Sequence, residues 1–551
     1  MGKIAKNLFK TKTFHYLSLI VWIVPLLIFN NGEYSLMPHD EAMYAVRSRW
    51  MLESGDWITP QSWGELVYEK TPGFYWLLGC VYKIFGISEF ISRLPAQIAC
   101  VFTILLTYEI AVILLNRRIA WLASAILSVS FLWLQSSRLA TANVVTICLA
   151  FFGLYCLLKS ELNPKYRFYW SFGTGFSFAL GFLIRGQLIF VPIIGLLPYL
   201  IWEHRRTRHL FNPMFYIGFI IGLIPAITWF WLSWQRYGGI VFQQFFALVV
   251  RIASEQRNGN SPLFYLWNTP LKAFPWVFFS VLGVILILRQ SSYKYRLILV
   301  GCPLVIFIEI SFISTRLPHY ALILYPIMAM QAAVAFDWLC QIYDQQIKTR
   351  YFGLLPRNLS YIFGGLGGLI LIAVILLYID ILPINFGDDV DIRSYIQIAL
   401  VLGLGWLSLP IIWIARHRFN YKFLTAKYWL FSWLFTVWLV LAVAGGTGLL
   451  SDYTPDVKVF LRRYAIASVL QNNPINFVVQ KTEALTTGGD KALLLLTFYT
   501  PHWGQRFQEL GEITPGNYAW VSSELSVGVS TPYRHLGTFQ GWKLIQVTNI
   551  Q

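Results

Sequence analysis

Pro38-His39-Asp40-Glu41-Ala42-Met43-Tyr44-Ala45, followed by Tyr68-Glu69-Lys70-Thr71-Pro72, forms a charged island in an otherwise apolar chain. It follows the apolar run 14–30 and precedes the run 91–115, so it reads as a hydrophilic loop between two membrane-crossing segments. Acids are scarce here: 26 Asp and Glu stand against 43 Lys and Arg in 551 residues. Two acidic clusters gathered beside a lysine at a membrane surface suit chemistry on a lipid-linked phosphate.

The surrounding composition fixes the solvent. Hydrophobic residues make up 57% of the chain and charged residues 13%, with a mean hydropathy of +0.57. A water-soluble protein cannot bury that much apolar surface, so the chain is read as a polytopic, mostly α-helical membrane protein. The formal net charge of +17 does not imply nucleic acid, because the basic residues cluster in short links between apolar runs. Cys80, Cys100, Cys148, Cys156, Cys302 and Cys340 lie in or at the ends of apolar segments without any CxxC pair, which implies neither a disulfide framework nor a zinc site. Lys3, Lys6, Lys10 and Lys12 ahead of 14–30 resemble a signal peptide, but no small-residue cleavage site follows, so an uncleaved first helix is expected.

Apolar runs from 14–30 through 428–450 predict about thirteen spans. With the N-terminus inside, the links Arg117-Arg118, 159–167, 203–209, 289–296, 348–357 and 416–427 fall on the cytoplasmic side, and each is basic. The loop 31–90 and the tail 452–551 then lie outside, dividing the chain into a membrane domain, 1–451, and a small α/β domain, 452–551. Within the loop, the apolar piece 73–86 is too short to span and is read as re-entrant or interfacial. In the tail, a helix is expected over Pro455–Leu470 and strands at Asn476–Thr482, Ala492–Tyr499, Tyr518–Ser522 and Lys543–Thr548. No internal repeat is visible, which argues against a secondary transporter.

Several residues admit two readings. Asp40 can cap a helix running from 41 to 54, with Glu41 in its first turn and Met43, Val46 and Trp50 along one side of an amphipathic surface helix. Glu69-Lys70 can be an ordinary surface ion pair. On the same side of the membrane, however, stand Arg138, Arg185, Arg251, Arg257, Arg316 and His319. Cations at span ends can simply snorkel, yet a ring of them around a carboxylate pair is what a phosphate-bearing sugar lipid needs. The arginines would hold phosphate and a carboxylate would accept the proton of an attacking hydroxyl. Asp389-Val390-Asp391 is a rival DxD site, although on the outer side nucleotide sugars are not available to it. Glu109 and Glu309 fall inside spans, where a structural pair or a water-lined cleft is favoured over a proton relay. Gly364-Gly365-Leu366-Gly367-Gly368 reads as a helix-packing surface.

Taken together the motifs resemble the integral-membrane glycosyltransferases of the GT-C fold, specifically glycosyltransferase family 39, which includes aminoarabinose transferases acting on lipid A and protein O-mannosyltransferases. Asp40-Glu41-Ala42-Met43-Tyr44-Ala45 matches the family's Asp-Glu-x-x-Tyr-Ala signature. Arg49, Met51-Leu52, Gly55-Asp56-Trp57 and then Glu69-Lys70-Thr71-Pro72, Tyr75-Trp76, Phe85-Gly86, Glu89-Phe90 and Arg93-Leu94-Pro95 continue the run. Arg316-Leu317-Pro318-His319-Tyr320 and Tyr325-Pro326 resemble a later Lys/Arg-x-Pro-His-Tyr element. Three positions depart from the aminoarabinose transferases: Met43 stands where Arg is usual, Asn143 replaces an acid, and Gly259-Asn260-Ser261 precedes Pro262 where a histidine is expected.

The resemblance implies transfer of a sugar from a polyprenyl-phosphate donor to a lipid, glycan or protein acceptor on the outer face of a bacterial cytoplasmic membrane. It implies catalytic carboxylates at Asp40, Glu41 and Glu69, with Asp40 the principal one. Donor-phosphate contacts fall to Lys70, Arg49, Arg316, His319 and Tyr320, and further substrate contacts to Tyr44, Arg138 and Arg185. No cofactor is required; a divalent metal, if used, would sit on Asp40 and Glu69. The chain is expected to act as a monomer among membrane lipids, without nucleic acid. The competing class is a flippase that grips the same phosphate without reacting.

Overall fold

The computed structural model describes residues 12–255, 261–290, 294–345, 352–379, 392–479, 490–523 and 531–549. Arg257, Gly259, Asn260 and Asp389-Val390-Asp391 lie outside the described residues.

The chain opens with α1 (Lys12–Ile28), then α2 (Asp40–Ser54), a two-strand hairpin of β1 (Gln61–Ser62) and β2 (Glu65–Leu66), and α3 (Gly73–Phe85). Long apolar helices follow. The first are α4 (Glu89–Leu114), the bent pair α5 (Arg117–Ser128) and α6 (Phe131–Ser137), and α7 (Ala142–Leu162). Next come α8 (Arg167–Arg185), α9 (Phe190–Trp202), α10 (Pro213–Tyr237) and α11 (Ile240–Ser254). The bundle is completed by α12 (Phe264–Lys272), α13 (Trp276–Arg289), α14 (Cys302–Phe312), α15 (Tyr325–Tyr343), α16 (Leu355–Tyr378), α17 (Ile392–His417) and α18 (Ala426–Gly446).

Among the described residues, eight helical runs are long and apolar enough to cross a membrane, and ten if each of two bent pairs counts as one span. One run, Pro164–Trp202, doubles back at Gly186: Arg167 at its start donates to the Thr207 carbonyl just beyond its end. Gly186 makes that reversal possible, with φ +65. Of four shorter apolar helices among the described residues, Lys12–Ile28 and Leu297–Phe312 fall on further predicted spans. In α10 and α17 only 22% and 17% of the membrane-length window is buried, with Ile220, Ile224, Leu404 and Ile411 facing outward. Such apolar exteriors are stable in lipid and not in water, so the chain is a multi-pass membrane protein.

The tail carries a five-stranded sheet in the order β4-β3-β5-β7-β6, built from β3 (Ile475–Val478), β4 (Trp503–Phe507), β5 (Tyr518–Ser522), β6 (Tyr533–Phe539) and β7 (Trp542–Val547). Strand β3 is parallel to both β4 and β5, and the rest pair antiparallel. Two expectations are corrected here. The run Ala492–Tyr499 is helical, forming Lys491–Tyr499, because Asp490 caps it through the Ala492 and Leu493 amides and it crosses between parallel strands. The helix expected over Pro455–Leu470 breaks into Pro455–Leu461 and Tyr464–Asn472. Strands β4 and β6, rich in Arg, Gln, Gly and His, carry little apolar alternation and escape the pattern.

Helix α2 is not an amphipathic surface helix. It is sandwiched: Met43, Tyr44 and Met51 join the membrane core, while Ala42, Ala45 and Val46 join the core of the tail domain with Phe477, Leu496 and Trp520. Trp50 stacks on Trp503 and meets Trp63 edge-on, at centroid distances of 5.3 Å each. The catalytic-motif loop is therefore clamped between bundle and tail, and both lie at one end of the helices.

Candidate active site

The first turn of α2 sends its two acids in different directions. Glu41 is fully buried and accepts from the Arg93 guanidinium at 3.0 and 2.9 Å, the Met37 amide at 2.8 Å and the Ala140 amide at 2.5 Å. Arg93 spends its remaining donors on the carbonyls of Asn31, Tyr34 and Ser35. Every oxygen of Glu41 is thus occupied by a two-pronged, charge-assisted pair that ties loop 31–37 to α4. The expected catalytic role for Glu41 is corrected: its carboxylate is a structural anchor that does not reach the cavity described next. Nor does Asp40 cap the helix; His39 occupies the N-cap position without a side-chain cap bond.

Asp40 instead faces a cavity of about 260 Å³ shared with His39, Tyr44, Glu69, Lys70, Arg185, His319 and Tyr320. Its side chain is a third exposed, but into this enclosed space, and Oδ1 lies 3.5 Å from His39 Nδ1. Burial pushes the Asp40 carboxyl up, while the His39 hydrogen bond and the Lys70 charge outweigh it and hold the group well below the usual carboxylate range.

Lys70 arrives by a specific docking. Thr71 donates to the Phe182 carbonyl at 3.0 Å, and a Cβ on Gly73 would stand 2.5 Å from the Leu183 oxygen, so only glycine lets the start of α3 meet the end of α8. That contact sets Lys70 beside Arg185. The Lys70 ammonium lies 4.6 Å from the centre of the Tyr44 ring. Burial pulls its pKa below the ordinary lysine value, partly opposed by Asp40. Arg185, the last residue of α8, approaches His319 Nε2 at 3.3 Å. Glu69 accepts from Arg251 at 3.2 Å through Oε1, while its other oxygen is buried without a partner.

A residue missed by the sequence reading lies behind this cluster. Arg47 is buried, donates to the Tyr75 hydroxyl at 3.1 Å and leaves Nε without a partner. Among the described residues no carboxylate lies within 4.0 Å of Arg47, Lys70 or Arg185. Met43 stands where the resembled transferases carry Arg, and Arg47 lies four residues on, along the same helical face. That i, i+4 spacing was the available signal.

Other expected contacts are placed elsewhere. Arg49 donates to the carbonyls of Phe498, Thr500 and Pro501 at 3.1, 2.8 and 2.6 Å and covers the Trp503 ring, locking the tail onto α2. Arg138 donates to the carbonyls of Leu26 and Phe29 at 2.6 and 2.9 Å, closing the end of α1. Both are corrected from substrate contacts to carbonyl clamps, because a guanidinium whose donors are taken by backbone has few left for phosphate. Arg316 is buried and donates to Ser314 and Ser311 carbonyls at 3.3 and 3.5 Å. Of the intramembrane acids, Glu109 is a structural pair, bonded to Tyr16 and 2.7 Å from Lys12. Glu69 is already paired with Arg251, and among the described residues no three His, Cys, Asp or Glu side chains converge.

Beyond Arg185, Leu188, His319 and Tyr320 the cavity opens onto an apolar crevice lined by Ile147, Val191, Pro192, Ile310 and Ile323. A second apolar pocket, sharing Pro192 and Ile323, continues it along Phe151, Leu196 and Ile306. The site thus has a charged head and a greasy tail.

Several known proteins are similar to this chain in sequence or fold. Residues 69–234 match the family described as dolichyl-phosphate-mannose-protein mannosyltransferase. An uncharacterized protein of Aquifex aeolicus is 27% identical over 355 residues, 63% of this chain and 66% of that protein. The undecaprenyl phosphate-alpha-4-amino-4-deoxy-L-arabinose arabinosyl transferase 2 of Pseudomonas fluorescens is 24% identical over 72% of this chain and 68% of its own. These matches span about two thirds of the relatives' lengths. The crystal structure of ArnT from Cupriavidus metallidurans bound to undecaprenyl phosphate superposes over 96% of both chains with a TM-score of 0.71 at 16% identity. The chain thus shares the fold of that transferase structure, and over residues 69–234 its sequence is similar to the mannosyltransferase family.

Proposed function

We propose that the chain is a glycosyltransferase that moves a sugar from a polyprenyl-phosphate donor to a lipid, glycan or protein acceptor at the outer face of a bacterial cytoplasmic membrane. One observation carries this reading: at the mouth of an apolar crevice, Lys70 and Arg185 share the Asp40 cavity, Arg47 lies behind Lys70, and among the described residues none of the three has a carboxylate within ion-pair distance. Unbalanced buried cations are costly until an anion arrives, and a phosphate joined to a long hydrocarbon satisfies head and crevice together.

In the reaction the acceptor oxygen attacks the anomeric carbon, the bond from that carbon to the lipid phosphate oxygen breaks, and the phosphate leaves with the electron pair. Lys70 and Arg185 offset the charge that develops on it. Before the donor binds, His39 and Lys70 keep Asp40 ionised. Donor phosphate draws on the same Lys70 charge, which raises the proton affinity of Asp40 when a hydroxyl acceptor must be deprotonated. With an acceptor that is already anionic, Asp40 orients it or stabilises positive charge on the sugar ring. Similarity to the arabinosyl transferases favours transfer over flipping.

The test is direct. Purified protein supplied with a lipid-linked sugar should form a glycosylated product, and movement of the intact donor across vesicles with the sugar–phosphate bond unbroken would overturn the proposal. The proposed orientation, N-terminus inside, predicts that reporters after residue 60 and residue 551 read external and one between Arg205 and Arg208 reads cytoplasmic.

A further inference from the structure

Helices α17 and α18 flank a groove of about 470 Å³ that starts at Ile412, Leu424 and Tyr428, at the end away from Asp40, and runs past Ser408 to Val401 and Leu439. It is larger than the Asp40 cavity and almost wholly apolar. Of its four hydroxyls, Ser408 and Ser432 bond to each other and Thr436 donates to the Ser432 carbonyl, which leaves only Tyr428 at the mouth as a polar group facing the groove. From Val401 to Ile412 the groove follows α17 for roughly 16 Å at 1.5 Å per residue. That is about half of a ~30 Å hydrocarbon layer, the depth of one leaflet.

The mouth of the groove is basic. Arg416, Arg418, Lys422 and Lys427 surround the α17–α18 turn, and the chain carries no Asp or Glu from 392 through 451. Asp344, which packs against the start of α18, is engaged by the Ala426 amide at 3.0 Å. Arg416 donates to the Lys422 carbonyl and shapes the turn, leaving Arg418, Lys422 and Lys427 exposed. Phe419, Tyr421 and Phe423, 68%, 53% and 66% exposed, project from the same turn, as aromatic residues do at a headgroup boundary.

We infer that this groove is a binding site for an anionic phospholipid, with one acyl chain along α17 and the headgroup phosphate on Arg418, Lys422 and Lys427. Charge complementarity and leaflet-deep length select that occupant over a neutral lipid, whose headgroup gains nothing from three cations. The site shares no lining residue with the donor cavity and does not rest on the proposed transferase activity.

Native mass spectrometry of the full-length protein, equilibrated with phosphatidylglycerol or phosphatidylcholine, reads the site. Phosphatidylglycerol should be retained preferentially, and retention should fall on the order of fivefold for each of Arg418→Ala, Lys422→Ala and Lys427→Ala. Leu404→Trp, which fills the groove from a lipid-facing position and leaves the charges intact, should abolish retention with an unchanged melting temperature. Equal retention of the two lipids, or phosphatidylglycerol retention unaffected by both kinds of variant, would overturn the inference. So would a Leu404→Cys chain that crosslinks to a second copy in phosphatidylglycerol vesicles, since the groove would then be an interface between helices.

Discussion

The Glu41–Arg93 pair and the Asp40–Lys70 cavity begin at consecutive residues of one helix, yet one is closed and the other open. Successive helical residues point about 100° apart. Glu41 turns inward, where Arg93 and two backbone amides saturate it. Asp40 turns toward a space that it shares with Glu69, Lys70 and Arg185, and in which neither Lys70 nor Arg185 has a carboxylate within ion-pair distance among the described residues. A buried charge with a full set of partners holds a fold together, whereas charges left incomplete mark where a ligand belongs.

The largest expected effect tests the open member. Asp40→Asn keeps size and removes charge, so turnover should drop about a hundred- to ten-thousand-fold with donor binding and thermal stability retained. Near-normal turnover would erase the distinction between the two acids. The closed member should respond in the opposite currency: Arg93→Met strands a buried Glu41 and should destabilise the protein by about 3–5 kcal/mol, read as a collapse of the melting temperature in detergent. Adding Glu41→Leu should recover much of that loss, because an apolar pair replaces a broken ionic one. Lys70→Ala or Arg185→Ala should weaken donor use by roughly 2–4 kcal/mol through loss of a charge-assisted contact, with folding intact. Unchanged donor kinetics in both would make these cations mere neighbours of the acid.

The smallest effect sharpens the picture through pH. Burial lowers the pKa of Lys70, so its charge is lost as pH rises, at values below its ordinary 10.5. The kcat/KM for donor should therefore fall on the alkaline side earlier than a surface lysine permits, and Lys70→Arg should move that limb upward. Asp40, held low, stays ionised through the ordinary carboxylate range, so it should contribute no acid limb near pH 4.

The sequence alone determined that the chain lives in a membrane and that its charged loop and its tail domain share a side, and the family resemblance grouped Asp40, Glu69, Lys70, Arg185, His319 and Tyr320 together with Glu41, Arg49 and Arg138, which the fold places elsewhere. Hydropathy and motif spacing are local properties, and the bilayer imposes them segment by segment. Only the tertiary structure decided which acid of the Asp-Glu doublet is sealed, that Arg49 and Arg138 grip carbonyls, that Arg47 meets the Tyr75 hydroxyl and no carboxylate, and that 492–499 is a helix. Those outcomes depend on partners far away in the chain. Arg93 reaches Glu41 across 52 positions, Arg251 reaches Glu69 across 182, and Arg49 reaches Thr500 across 451. A charged residue's role is set by which of its hydrogen bonds the fold completes, and that count exists only once the distant segments have met.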